Sequence, residues 1–310
     1  MKPAFVFPGQ SSQSVGMMKT FAGMSMVRDT FSEAADAIGT DLWALVEQGP
    51  SEELNLTINT QPVMLTAGVA LYRAWIAEHG ARPVMAAGHS LGEYSALVAG
   101  GAIDFSEAVK LVRFRAQAMQ EAVPEGVGAI AAILGLEDAD VISACKEAAS
   151  EDEVVEAANF NSPAQVVIAG NKGAVERAME IAKGKGAKRA ILLPMSAPSH
   201  CSLMRPAAER MRERLRDARI EVSAIPVLHN ADVKVASSAD AIRDVLVRQF
   251  CQPVRWVDTV RAMVASGVTH IVECGPGKVL AGLNKRIVPE TPTHTFNDEP
   301  AFRETLRILK

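Results

Sequence analysis

The chain's apolar residues fall into two patterns. Short unbroken apolar runs closed by Pro or Gly predict buried strands, as in "AFVFPG" at 4–9 and "VMAAGHS" at 84–90. Longer stretches with apolar residues every three or four positions predict helices at 28–38, 41–47 and 60–79. Another helix runs from Gly92 into "YSALVAGG". "FSEAVKLVRFRAQAMQEAV" (105–123) predicts a further one, with Ser106 as its expected N-cap. Strands alternating with helices imply a parallel sheet covered on both faces.

At about residue 125 the pattern changes. "VGAIAAILG" (127–135) reads as a strand and "LEDADVISACKEAAS" (136–150) as a helix. "EVVEAANF" (153–160) and "AQVVIAG" (164–170) are strands joined by the turn "NSP", followed by a helix over 172–186 and the strand "RAILLPMS" (189–196). The order β-α-β-β-α-β is the ferredoxin-like arrangement, which closes on itself and so can be an insertion. Beyond it come a helix over 199–220, a strand at "IPVLHN" (225–230) and helices over 240–250 and 256–267. A strand, glycine turn and helix over 268–287 complete the reading. The expected fold class is therefore α/β: an α/β-hydrolase-like parallel-sheet core, residues 1–124 and 197–310, with a ferredoxin-like subdomain, 125–196, inserted into it.

Composition narrows the function classes. At 48% hydrophobic and 22% charged over 310 residues, the chain suits an ordinary globular protein with a large core. A net charge of −4 gives no sequence-independent grip on nucleic acid. The apolar run near the N-terminus is too short for a secretory signal, and no run approaches a membrane span. Cys145, Cys201, Cys251 and Cys274 lie far apart without a Cys-x-x-Cys pair, so neither a zinc site nor a disulfide framework is expected. A reducing cytoplasm is the expected compartment. Cys201 is read as a buried small hydrophobe despite its histidine neighbour.

The chemistry centres on Gly88-His89-Ser90-Leu91-Gly92. Gly-x-Ser-x-Gly between a strand and a helix is a nucleophile elbow: the chain turns sharply, exposing the serine oxygen beside a helix N-terminus whose free N–H groups can hold an oxyanion. A serine needs a base. Among six histidines, His79 ends a helix in a solvated setting, and His270 and His294 lack polar neighbours that suggest a role. His89 precedes the serine and points the other way, which suits a structural hydrogen bond. His200, in a Pro/Ser loop opening a helix, and His229, ending a strand, are the two candidates, with a modest preference for His200.

The segments "FVFPGQSSQSVGM", "AGHSLGEYSALVAGG", "RFRAQAMQEAVPEG", "NFNSPAQVVIAG", "APSHCSLM", "VRQFCQPVRW" and "ECGPGKVLAGL" together resemble the discrete bacterial malonyl-CoA:acyl carrier protein transacylases, in the family's order and across the whole chain. The resemblance implies Ser90 as the acyl-accepting nucleophile and His200 as its base. It implies Gln249 at the position whose backbone carbonyl orients the histidine, which removes the need for a triad carboxylate. Backbone N–H groups of Gln10 and Leu91 match the oxyanion hole, and Arg115 matches the residue that binds the malonyl carboxylate. An arginine fork suits that task because it pairs both carboxylate oxygens and stays charged; Arg113 is expected on a solvated face. The implied partners are malonyl-CoA and the phosphopantetheine thiol of acyl carrier protein. No metal or cofactor is expected, and the chain is expected to be a cytoplasmic monomer of fatty acid synthesis. Service to a polyketide synthase, a serine hydrolase and a non-catalytic carrier-protein scaffold are the alternatives. One departure stands out: the family's Gly-Gln-Gly-Ser-Gln reads Gly9-Gln10-Ser11-Ser12-Gln13 here, so a left-handed backbone at Ser11 would carry strain.

Overall fold

The apolar run Pro3–Phe7 forms β1, whose residues Ala4 to Phe7 are fully buried. The structure, a computed structural model, describes residues 1–194 and 197–310. The other strands are β2 (Met85–Gly88), β3 (Gly128–Leu134), β4 (Val155–Ser162), β5 (Gln165–Asn171), β6 (Arg189–Leu192), β7 (Val227–Leu228), β8 (His270–Glu273) and β9 (Thr293–Thr295). They make a five-stranded sheet in the order β7-β2-β1-β8-β9, parallel throughout. A separate four-stranded sheet, β4-β5-β3-β6, is antiparallel throughout. β1 sits between two neighbours with both faces covered, which is why its sequence is an unbroken apolar run rather than an alternating one.

The helices are α1 (Ser25–Ile38), α2 (Leu42–Gln48), α3 (Ser51–Asn55), α4 (Thr57–Ala77), α5 (Gly92–Ala99), α6 (Phe105–Ala122), α7 (Asp138–Ala148), α8 (Lys172–Gly184), α9 (Arg205–Arg216), α10 (Ala239–Arg248), α11 (Trp256–Ala265), α12 (Val279–Ile287) and α13 (Glu299–Leu309). Among the described residues, no helix is long and apolar enough to cross a membrane.

Local chemistry shifts several expected boundaries. Ser106 is not the N-cap of α6. Asp104 is, its carboxylate accepting from the backbone N–H groups of Ser106 and Glu107 at 3.0 and 3.3 Å. A negative charge at a helix N-terminus is also favoured by the dipole. The helix expected over 199–220 begins only at Arg205, with Pro206 in its first turn where the missing N–H costs nothing. Of the strand expected over 189–196, β6 covers Arg189–Leu192, and Met195 and Ser196 lie outside the described residues. Arg113 is not on a free solvated face: it donates to Thr40 Oγ1 at 2.7 Å and clamps the end of α1. β9 and α13 lie beyond the elements expected from the sequence: Phe296, just after β9, and Phe302, on the buried stripe of α13, pack on Trp75 at 5.2 and 5.9 Å, and Phe296 lies 6.0 Å from Phe5.

The two sheets meet along β4, which hydrogen-bonds through Ala158 and Phe160 to both backbone groups of Val254. The antiparallel sheet faces the C-terminal ends of β1 and β2: His89, just past β2, bonds Asn161 of β4, and Gly9 and Ser90 share a pocket with Ile130, Asn159 and Val167. In parallel sheets this is the end at which ligands bind, at the point where the strand order reverses, here at β1.

Candidate active site

β2 ends at Gly88, and the chain turns through Ser90 directly into α5. Both elbow glycines are sterically required. A Cβ on Gly88 would lie 1.8 Å from the backbone of Gly92, and one on Gly92 would lie 2.0 Å from the Phe7 carbonyl oxygen. Ser90 itself has φ 51°, a left-handed conformation costly for a residue with a side chain. It is held there from both sides: its N–H donates to Asn230 Oδ1 at 2.7 Å, and its carbonyl accepts from Gln249 Nε2 at 3.1 Å.

His200 also has a left-handed backbone, φ 63°. Its Nε2 lies 2.7 Å from Ser90 Oγ and its Nδ1 lies 2.8 Å from the Gln249 carbonyl oxygen. A carbonyl only accepts, so Nδ1 carries the proton, and the Nε2 lone pair faces the serine hydroxyl. No carboxylate is needed to set that tautomer. Burial, and then the positive charge of Arg115, push the His200 pKa from 6.5 down to about 3, so the ring stays neutral across the ordinary pH range.

Arg115 reaches the same point from α6 and is 1% exposed. Its Nη2 donates to Ser90 Oγ and to Gln249 Oε1, each at 3.1 Å, and its Nη1 donates to Gln61 Oε1 at 2.9 Å. The rings of Phe250 and Tyr94 flank the guanidinium at 5.3 and 5.8 Å. All these acceptors are neutral, so a buried cation sits beside the serine with no carboxylate in direct contact.

Gln10 and Leu91 line the pocket that holds Ser90, His200 and Arg115. Leu91 immediately precedes α5, so its N–H belongs to the helix N-terminus. Ser11 has φ 84°, and its N–H is held by Gln13 Oε1 at 2.8 Å; the strain expected for a non-glycine there is present. His229 is placed elsewhere: it is buried, with Nδ1 2.8 Å from Glu93 Oε1, and it does not line the pocket. His89 Nε2 bonds Asn161 Oδ1 at 2.8 Å, tying the elbow to β4. Cys201 is buried, its thiol donating to the Pro198 carbonyl. Among the described residues, no cluster of three or more His, Cys, Asp or Glu side chains is arranged to hold a metal ion.

Sequence reasoning missed Gln61, Glu93 and Asn230. Gln61 had little signal, since it follows Asn59 and Thr60 in the polar first turns of α4 and reads there as an ordinary helix-start residue. Glu93 and Asn230 had none, because their partners are remote in the chain.

Residues 4–292 match the acyl transferase domain family. The chain is 56% identical over 306 residues to the malonyl CoA-acyl carrier protein transacylase of Escherichia coli (strain K12), covering 98% of this chain and 99% of that one. The chain belongs to this transacylase family. Its Bacillus subtilis relative of the same name is 42% identical, with 100% of this chain and 98% of the relative covered. A solved acyl-carrier-protein S-malonyltransferase from Burkholderia pseudomallei 1710b superposes with a TM-score of 0.97 at 58% identity, covering 99% of this chain and 100% of the other. A malonyl-transacylase solved in complex with a type II PKS acyl-carrier protein has a TM-score of 0.98 at 50% identity, again with 99% and 100% covered. The transacylase thus shares the two-sheet α/β architecture of these structures end to end.

Proposed function

We propose that this transacylase moves a malonyl group from malonyl-CoA to the phosphopantetheine thiol of an acyl carrier protein through a malonyl-Ser90 intermediate, supplying fatty acid synthesis. The observation that carries this reading is the meeting of Ser90 Oγ with His200 Nε2 at 2.7 Å and Arg115 Nη2 at 3.1 Å. His200 takes the Ser90 proton as Oγ attacks the thioester carbonyl. Backbone N–H groups of Gln10 and Leu91 hold the oxyanion, and the proton passes to the departing coenzyme A thiolate. The carrier thiol then enters, gives its proton to His200 and takes the acyl group, restoring Ser90. Thioester exchanges for thioester, and no cofactor is consumed.

The reading assigns residues 1–124 and 197–310 to an α/β-hydrolase-like catalytic domain, supported by the elbow at the end of β2. It assigns 125–196 to an inserted ferredoxin-like subdomain, supported by the strand order β4-β5-β3-β6. A monomer working in the cytoplasm, where its four free cysteines would stay reduced, completes it. A polyketide carrier protein is the second reading, favoured by the neighbour solved with such a partner.

Intact mass tests the proposal directly. The protein should gain one malonyl group on incubation with malonyl-CoA and lose it to added carrier protein. Hydrolytic loss without a carrier would point to a hydrolase instead.

Arg115→Ala should change acyl selectivity rather than merely weaken the enzyme. A hydrogen bond to a charged group is worth about 1.5–3 kcal/mol, so kcat/KM for malonyl-CoA should fall on the order of ten- to a hundredfold. Acetyl-CoA has no carboxylate to pair, and its rate should hold or rise. An unchanged malonyl-to-acetyl ratio would make Arg115 structural.

A further inference from the structure

Beneath the Ser90 turn lies a buried polar cluster that takes no part in the bond-making steps. Glu93, on the first turn of α5, is 0% exposed. Three donors converge on its carboxylate: His229 Nδ1 at 2.8 Å on one oxygen, and the Asn230 backbone N–H and Gln249 Nε2 on the other, each at 2.9 Å. Gln249 Nε2 also donates to the Ser90 carbonyl at 3.1 Å, while its Oε1 accepts from Arg115 Nη2.

The two ends of a carboxamide are nearly the same size, so its partners decide which way it faces. Glu93 and the Ser90 carbonyl are both acceptors, which forces the Gln249 NH₂ group toward them and its oxygen toward Arg115. The opposite orientation would set NH₂ against the guanidinium and oxygen against the carboxylate. The flanking rings confine the guanidinium by its faces, but acceptor oxygens set where its N–H groups point. The Gln249 side chain is also separable from its backbone, since only the backbone carbonyl holds His200.

We propose that Glu93 is a positioning residue for acyl selectivity: it fixes the Gln249 amide, and that amide holds Arg115 beside Ser90. The proposal rests on the reading of Arg115 as the partner of the substrate carboxylate.

The test is the ratio of kcat/KM for malonyl-CoA to that for acetyl-CoA in wild type, Glu93→Met, Glu93→Gln, Gln249→Met and Arg115→Ala. Glu93→Met removes both acceptor oxygens and leaves the Gln249 NH₂ group held only by the Ser90 carbonyl, so the amide is less firmly fixed against Arg115. Gln249→Met removes the amide but leaves the carboxylate in place, so it carries the test if Glu93→Met does not fold. In both variants the ratio should fall about tenfold, the scale of one hydrogen bond to a charged group. Glu93→Gln, which can turn an oxygen toward the same amide, should keep the ratio. Neither Met substitution should lower it further in an Arg115→Ala background, because the residue being aimed is gone. A purely structural Glu93 would depress both acyl rates together. A ratio unmoved by Glu93→Met and Gln249→Met, with Arg115→Ala collapsing it, overturns the proposal. A ratio unmoved by Arg115→Ala removes the carboxylate reading, and this inference with it.

Discussion

Ser90→Ala is expected to abolish both the malonyl adduct and carrier-dependent transfer while leaving the fold intact. Alanine tolerates the left-handed turn no worse than serine, and the Asn230 and Gln249 contacts that hold this turn go to the Ser90 backbone, not to its hydroxyl. Arg115 loses one acceptor but keeps Gln61 and Gln249. Deleting a serine nucleophile typically costs on the order of 10⁶-fold in kcat. Intact mass after incubation with malonyl-CoA gives the adduct, and thermal unfolding checks the fold. A stable malonyl-enzyme on the variant would reassign the nucleophile.

His200→Ala has the second-largest expected effect, a loss of roughly 10²–10⁴-fold in acylation, as for removal of a general base. His229→Ala should act differently: it takes one donor from the buried Glu93 and lowers stability, with a much smaller effect on the acylation step. The reverse pattern would exchange the two assignments.

The pH profile adds an independent check on His200. Its pKa is lowered from 6.5 to about 3, so the base remains unprotonated as pH falls through 6. The acid limb of kcat/KM should therefore lie well below pH 6.5. A bound substrate carboxylate offsets the Arg115 charge, so the limb in kcat should lie higher than that in kcat/KM. Stability moves in a definite direction. Between about pH 6.5 and 3 the unfolded chain takes up a proton on this histidine that the folded chain refuses, so His200 destabilises the fold progressively as pH drops through that window. A kcat/KM limb near 6.5 would mean that the ring is hydrated in solution.

What the sequence alone determined is what depends on neighbours in the chain. The unbroken run in β1 reports a strand covered on both faces. The Gly88 and Gly92 spacing reports a turn too tight for a Cβ at either position, and the placement of Ser90 between them follows. The segment from β3 to β6 was legible because each element carries its own periodicity and a short turn joins β4 to β5. The motifs resembling the transacylases reached further, to His200, Arg115 and Gln249, because they span elements that meet only in space.

Tertiary structure decided the rest. β9 declares itself weakly because it is three residues long with no apolar run, and Phe296 beside it packs on Phe5 and Trp75, more than 200 positions away. α13 does carry a helical stripe at Phe302, Leu306 and Leu309 behind its Asp298 cap, a signal the sequence reading left unused. His200 and His229 look alike in sequence. One faces Ser90 and the other a buried carboxylate, and that difference is set by where two loops land on the sheet. The histidine tautomer hangs on a backbone carbonyl, a group every residue has and no side-chain pattern can announce. Glu93 reads locally as an acidic residue in a helix's first turn, and only the approach of His229, Asn230 and Gln249, some 136 to 156 positions on, makes it the centre of a buried hydrogen-bonded cluster. Buried polar groups must be satisfied by whatever the fold brings to them, and sequence periodicity records burial without recording the partner.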